Sequence, residues 1–176
     1  MRSFSVLAAA AVFSVSGYTA PVIPAFEADG PPDLTAEAWI LYDADADVVL
    51  AAKAANEERP MASVTKIMTA LVVADNADLE EKVRVSEKAA NVGESEIGLY
   101  AGERWAVKDL LAGLLIRSGN DAAMALAEHV GGSVEGFADM MNAKAEELGL
   151  EHSNFVNPHG LDHPEHYTSA TDLVMM

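Results

Sequence analysis

Eleven residues constrain this chain more than any other stretch: Pro60-Met61-Ala62-Ser63-Val64-Thr65-Lys66-Ile67-Met68-Thr69-Ala70. A proline opens the run, and apolar residues recur at Val64, Ile67, Met68, Leu71 and Val72, the spacing of one stripe of an amphipathic helix. Ser63 then falls at the helix start, where unpaired backbone N–H groups gather positive potential. Lys66, three residues on, shares a face with Ser63 and lies away from the apolar stripe. Taken locally, this is an N-cap serine followed by a solvated lysine. A cation in the first turn opposes the helix dipole, however. The same field, combined with burial, lowers a lysine pKa and lets the neutral amine act as a base beside a hydroxyl.

The remaining 165 or so positions have to supply a setting for that pair, and composition bounds what kind. With 176 residues, 51% of them hydrophobic and 22% charged, the chain is long and apolar enough for one domain with a real core. Its 28 acidic and 11 basic residues give a formal net charge of −17. Such a surface repels phosphate groups, which argues against nucleic acid or an anionic membrane as partner. The absence of cysteine excludes disulfides, thiolate metal sites and a thiol nucleophile.

Residues 1–25 read as a secretory signal peptide, with Arg2 ahead of a short alanine-rich apolar core from Phe4 to Val15. That core is shorter than the ~20 residues of a spanning helix. Both Val15-Ser16-Gly17 and Ile23-Pro24-Ala25 offer small-residue cleavage sites. A linker follows at 26–36, and the folded domain runs over 37–176. The expected location is therefore outside the cytoplasm, in the periplasm or cell envelope.

Two β-prone runs, 38–42 and 48–52, flank Asp43-Ala44-Asp45-Ala46-Asp47 and predict a hairpin. The alternating aspartates suggest calcium, but Val48 and Ala54 stand where an EF-hand loop needs glycine and glutamate, so they read as a polar turn. Val83-Arg84-Val85 predicts a short strand. Helices are predicted at 105–117, with Val107, Leu110, Leu111, Leu114 and Leu115 at core spacing, and at 122–130, rich in small residues. Another follows Ser133 and stops at Gly149. Residues 152–167 are turn-rich, and their His159, His163 and His166 cannot align on one helix face across Gly160 and Pro164, so no metal site is expected there. No cofactor is called for. A last helix starts near Ser169.

Ser63-x-x-Lys66, Ser118-Gly119-Asn120 within the run from Leu114 to Ala123, and Phe155-Val156-Asn157-Pro158-His159-Gly160-Leu161-Asp162 occur together and in order. Together they resemble the penicillin-recognising serine enzymes, and above all the low-molecular-mass D-alanyl-D-alanine carboxypeptidases of serine peptidase family S11. The resemblance runs from about Trp39 to Met176. It implies an α+β fold of the β-lactamase/transpeptidase type, a helical subdomain packed on an antiparallel sheet. It further implies that Ser63 is the acylated nucleophile, Lys66 its base, Ser118 a proton relay toward the leaving amine, and Asn120 a substrate-binding residue. The implied partners are peptidoglycan stem pentapeptides ending in D-Ala-D-Ala, and β-lactam antibiotics.

The third family motif, Lys-Thr-Gly on a strand, occurs nowhere in the sequence. In the family that strand holds the substrate carboxylate and gives an oxyanion donor. The expectation is thus the front portion of a catalytic domain, cut before the later sheet strands, leaving the hairpin edges exposed. The resemblance implies membrane contact only through a C-terminal tail, which is expected to be absent here. Two alternatives stand beside the carboxypeptidase: a β-lactamase-like hydrolase, for which the matching region shows no E-x-x-x-N loop, and a catalytically silent envelope binding module.

Overall fold

Small side chains at the centre set the architecture. Ala122, Ala123, Ala125 and Ala127 are all but completely buried on one helix, α3 (Asn120–Gly131). They let three neighbours approach closely: α1 (Thr65–Asn76), α2 (Val107–Arg117) and α4 (Val134–Leu148). The closest approach is at the end of α3. A Cβ on Gly131 would stand 2.4 Å from the Phe137 backbone nitrogen, so only glycine fits there. Met68, Val72, Val73, Leu110, Leu114, Leu126, Phe137 and Met141 fill the space between these helices. Each such side chain contributes roughly 1.5–3 kcal/mol through burial.

The structure is a computed structural model that describes residue 31 and residues 33–176. The leader at 1–25 and most of the linker fall outside the described residues. Leu34–Met176 form one compact unit. Its strands are β1 (Trp39–Asp43) and β2 (Val48–Lys53), then β3 (Lys82–Arg84) and β4 (Arg104–Ala106). They pair as two separate antiparallel ribbons, β1 with β2 and β3 with β4. The polar turn of the first ribbon is closed by Asp43 Oδ1, which accepts from the Asp45 and Ala46 N–H groups. Leu41, Val49 and Leu50 of this ribbon are more than half exposed, as expected for a hairpin lacking sheet neighbours.

Caps end the helices where the sequence indicates. Ser133 Oγ accepts from the Gly136 N–H at the start of α4, and Gly149 closes it in the left-handed region at φ 73°. Ser169 caps the short α5 (Ala170–Met175) through the Asp172 N–H.

The first helix corrects the predicted pattern in two ways. Ser63 lies in a separate 3-10 turn, Ala62–Val64, and α1 begins only at Thr65. The predicted apolar stripe is also rotated: Val64 and Ile67 are exposed, while Thr65, Lys66 and Thr69 are buried with Met68, Val72 and Val73. Lys66 therefore sits among the core-facing residues. The helix is enclosed on that side by α3 and by the turn-rich segment 155–160, whose carbonyl groups accept from the buried polar side chains. Likewise β4 interrupts the helix predicted from residue 105, because Arg104–Ala106 pairs with β3.

One carboxylate secures the loop that faces this turn. Asp121, buried at the start of α3, accepts from the N–H groups of Ile97, Gly98, Leu99 and Ala122 at 2.9–3.0 Å. Replacing it by alanine orphans several of these donors. Asp121→Ala is expected to lower unfolding free energy by about 3 kcal/mol in urea titration of the whole chain. A change below about 0.5 kcal/mol, the range of an ordinary surface substitution, would show that the loop holds itself.

Candidate active site

The turn carrying Ser63 projects its hydroxyl outward while the next helical turn draws Lys66 inward. Ser63 is exposed, and Lys66 is 3% exposed. Because three residues separate them, the two side chains meet: Lys66 Nζ is 3.1 Å from Ser63 Oγ. Lys66 has two other partners, Asn120 Oδ1 at 2.8 Å and the His159 carbonyl at 2.8 Å. All three acceptors are neutral. Burial pushes the Lys66 pKa down from 10.5 to about 8, against a smaller opposing pull from Glu94.

The geometry suits a base. When Nζ is neutral, its two N–H bonds can stay with Asn120 and His159, and its lone pair then faces the Ser63 hydroxyl. Asn120 is held in the orientation this needs, since its Nδ2 donates to the Gly93 carbonyl at 3.1 Å and leaves Oδ1 for Lys66. The Asn120 backbone N–H donates to Ser95 at 2.7 Å, tying the start of α3 to the same loop.

The other wall is the turn at 157–160. Asn157 Oδ1 accepts from the His159 and Gly160 N–H groups, and its Nδ2 donates to the Leu161 carbonyl. Thr69 Oγ1 donates to the Pro158 carbonyl at 2.7 Å, which fastens the turn to α1. Gly160 has φ 90°, and a Cβ there would stand 1.8 Å from the Ala62 carbonyl oxygen. Only glycine allows that approach. His159 is buried to 8% exposure, and burial beside the Lys66 charge lowers its pKa to about 4. It is neutral at physiological pH. Between the walls lies an open cleft of about 440 Å³, lined by Ser63, Glu94, Ser95, Asn120, His159 and Gly160 among others.

Three of the four predicted residues thus converge: Ser63, Lys66 and Asn120. Asn120 is in contact with the lysine, a role the sequence reading did not assign. Ser118 stands apart. It caps α2 in the left-handed region at φ 57°, half-buried, and its hydroxyl makes no hydrogen bond to Ser63 or Lys66. The His159 carbonyl and Glu94 were missed. The former was in view as part of the turn from Asn157 to Gly160, but a backbone acceptor leaves no trace in residue type. Glu94 carries no pattern signal at all.

A family profile described as D-alanyl-D-alanine carboxypeptidase (peptidase S11) matches residues 25–176. The chain is 45% identical over 146 residues to the D-alanyl-D-alanine carboxypeptidase DacF of Bacillus subtilis, covering 80% of this chain and 38% of that protein. It is 41% identical over 156 residues to DacC of Escherichia coli, covering 82% and 39%. Among solved structures, penicillin binding protein 5 of Haemophilus influenzae superposes with a TM-score of 0.79 at 35% identity, over 83% of this chain and 45% of that one. The carboxypeptidase DacD of Francisella tularensis gives 0.78 at 37% identity, over 82% and 36%. The chain spans about 36–45% of the length of these relatives. Its fold is that of the penicillin-binding proteins and transpeptidases. This chain belongs to the D-alanyl-D-alanine carboxypeptidase family of low-molecular-mass penicillin-binding proteins.

Proposed function

We propose that the chain carries the nucleophile and base of an exported serine-type D-Ala-D-Ala carboxypeptidase that trims peptidoglycan stem peptides. In this reading residues 1–25 direct export and 37–176 belong to the catalytic domain. The observation that carries it is the contact of an exposed serine hydroxyl with a buried lysine whose pKa is brought to about 8 by desolvation.

Ser63 Oγ attacks the carbonyl carbon of the penultimate D-Ala while its proton passes to Lys66 Nζ. The resulting oxyanion meets the Ser63 backbone N–H at the cleft wall. Collapse expels the terminal D-Ala, whose amine takes up the proton, with Ser118 as the relay when substrate fills the cleft. An ester on Ser63 remains. Water hydrolyses it, releasing the shortened peptide and restoring the serine. Asn120 keeps Lys66 in place and offers its amide edge to the substrate. A β-lactam enters the same path, its strained amide replacing the D-Ala-D-Ala bond and its acyl-enzyme persisting. No Lys-Thr-Gly is available in this sequence, so the substrate carboxylate has no assigned partner here.

Two measurements test this. Benzylpenicillin should add its own mass to the intact chain, and Ser63→Ala should take up none; labelling of the alanine variant would refute Ser63 as nucleophile. The acylation rate should climb as pH rises through about 8 and level off above it, because only the neutral Lys66 amine accepts the serine proton. A rate flat from pH 6 to 10 would remove Lys66 from the role of base.

A further inference from the structure

Behind the turn that carries Ser63 lies a buried hydrogen-bonded chain that the steps above leave unused. His166 is 3% exposed and sits edge-on to Phe155, with ring centroids 5.9 Å apart. Its Nδ1 accepts from the Val156 N–H at 3.1 Å, so in the neutral ring the proton is on Nε2. Nε2 is 2.7 Å from Thr65 Oγ1, and therefore donates to it. Thr65, fully buried, donates its own hydroxyl hydrogen bond to the Ala62 carbonyl at 2.8 Å. Burial lowers the His166 pKa to about 4, which keeps the ring neutral at physiological pH, and the Val156 N–H fixes its tautomer.

The carbonyl at the end of the chain is the sensitive one. Ala62 stands at φ 46°, a left-handed conformation that costs an L-residue roughly 1–3 kcal/mol and persists only when its surroundings impose it. The Thr65 backbone N–H and hydroxyl both donate to the Ala62 oxygen, the hydroxyl bond being the one that His166 supports, and Gly160, without a Cβ, closes against it from another side. In a planar trans peptide the oxygen and the following N–H point in opposite directions. Fixing the Ala62 oxygen inward turns the Ser63 N–H outward.

We infer that His166 is a positioning residue that, through Thr65, locks the Ala62–Ser63 peptide so that the Ser63 N–H is presented to the oxyanion. The inference rests on the reading of Ser63 as nucleophile. Thr65, set between nucleophile and base, ties their local geometry to a segment a hundred residues away.

The test measures benzylpenicillin acylation of the full chain by rapid quench and intact mass. Thr65→Val keeps the side-chain volume and severs the chain; His166→Leu removes the donor; His166→Gln keeps an N–H within reach of Thr65. Thr65→Val and His166→Leu should slow acylation at saturating penicillin by roughly 10- to 100-fold, the scale of a displaced oxyanion donor. The half-saturating concentration should be little changed, and His166→Gln should recover most of the rate. A loss confined to half-saturation, or a Thr65→Val rate equal to wild type, overturns the inference while leaving Ser63 as nucleophile. A wild-type chain that takes up no penicillin overturns both. If His166→Leu does not unfold cooperatively, Thr65→Val and His166→Gln decide the matter.

Discussion

Removing a lysine ammonium from water is unfavourable unless other groups take over its solvation, and the candidate site is arranged round that constraint. Lys66 finds three acceptors from three parts of the chain: Ser63 from the preceding turn, Asn120 from the start of α3, and the His159 carbonyl from the 157–160 turn. None carries a charge. A carboxylate in contact would have stabilised the ammonium and raised its pKa; neutral acceptors hold the group in place and leave desolvation to dominate. The chain has 28 acidic residues, yet among the described residues the carboxylate that acts on Lys66 is Glu94, on the cleft rim and with a lesser effect. That spacing is what keeps the amine able to exchange a proton near neutrality.

The packing serves the same end. Alanines on α3 bring α1 close enough for Asn120 to reach Lys66, and Asp121, the next residue, binds the backbone of the 97–99 loop. Consecutive residues of α3 thus hold Lys66 and one wall of the cleft. The opposite wall depends on Gly160 and Thr69, which press the 157–160 turn against Ala62 and α1. Ala62 is left in a strained conformation beside Ser63, stabilised by contacts from both sides. A left-handed alanine persists only where its surroundings impose it, and here the Thr65 side chain and Gly160 do so.

Family membership and local geometry speak to different parts of this picture. Likeness to carboxypeptidases over four fifths of the chain accounts for the fold and the order of the motifs. The geometry alone brings Ser63, Lys66 and Asn120 together and leaves Ser118 apart, with its hydroxyl unengaged by either.

Local residue order by itself determined the helices after residue 107, their caps at Ser133, Gly149 and Ser169, the hairpin at 39–53, and the meeting of Ser63 with Lys66, since all of these follow from spacing within one or two turns. It misjudged the buried face of α1. Periodicity assumes that apolar residues face inward, whereas here Thr65, Lys66 and Thr69 are buried because distant carbonyl, amide and imidazole groups satisfy them. The long-range partners of Lys66 and Thr65 lie 54 to 101 residues away in sequence, and two of them act through backbone oxygen or a ring tautomer. Neither has a signature in residue type. Tertiary structure therefore decided which polar groups were desolvated, and with that the protonation chemistry of the site.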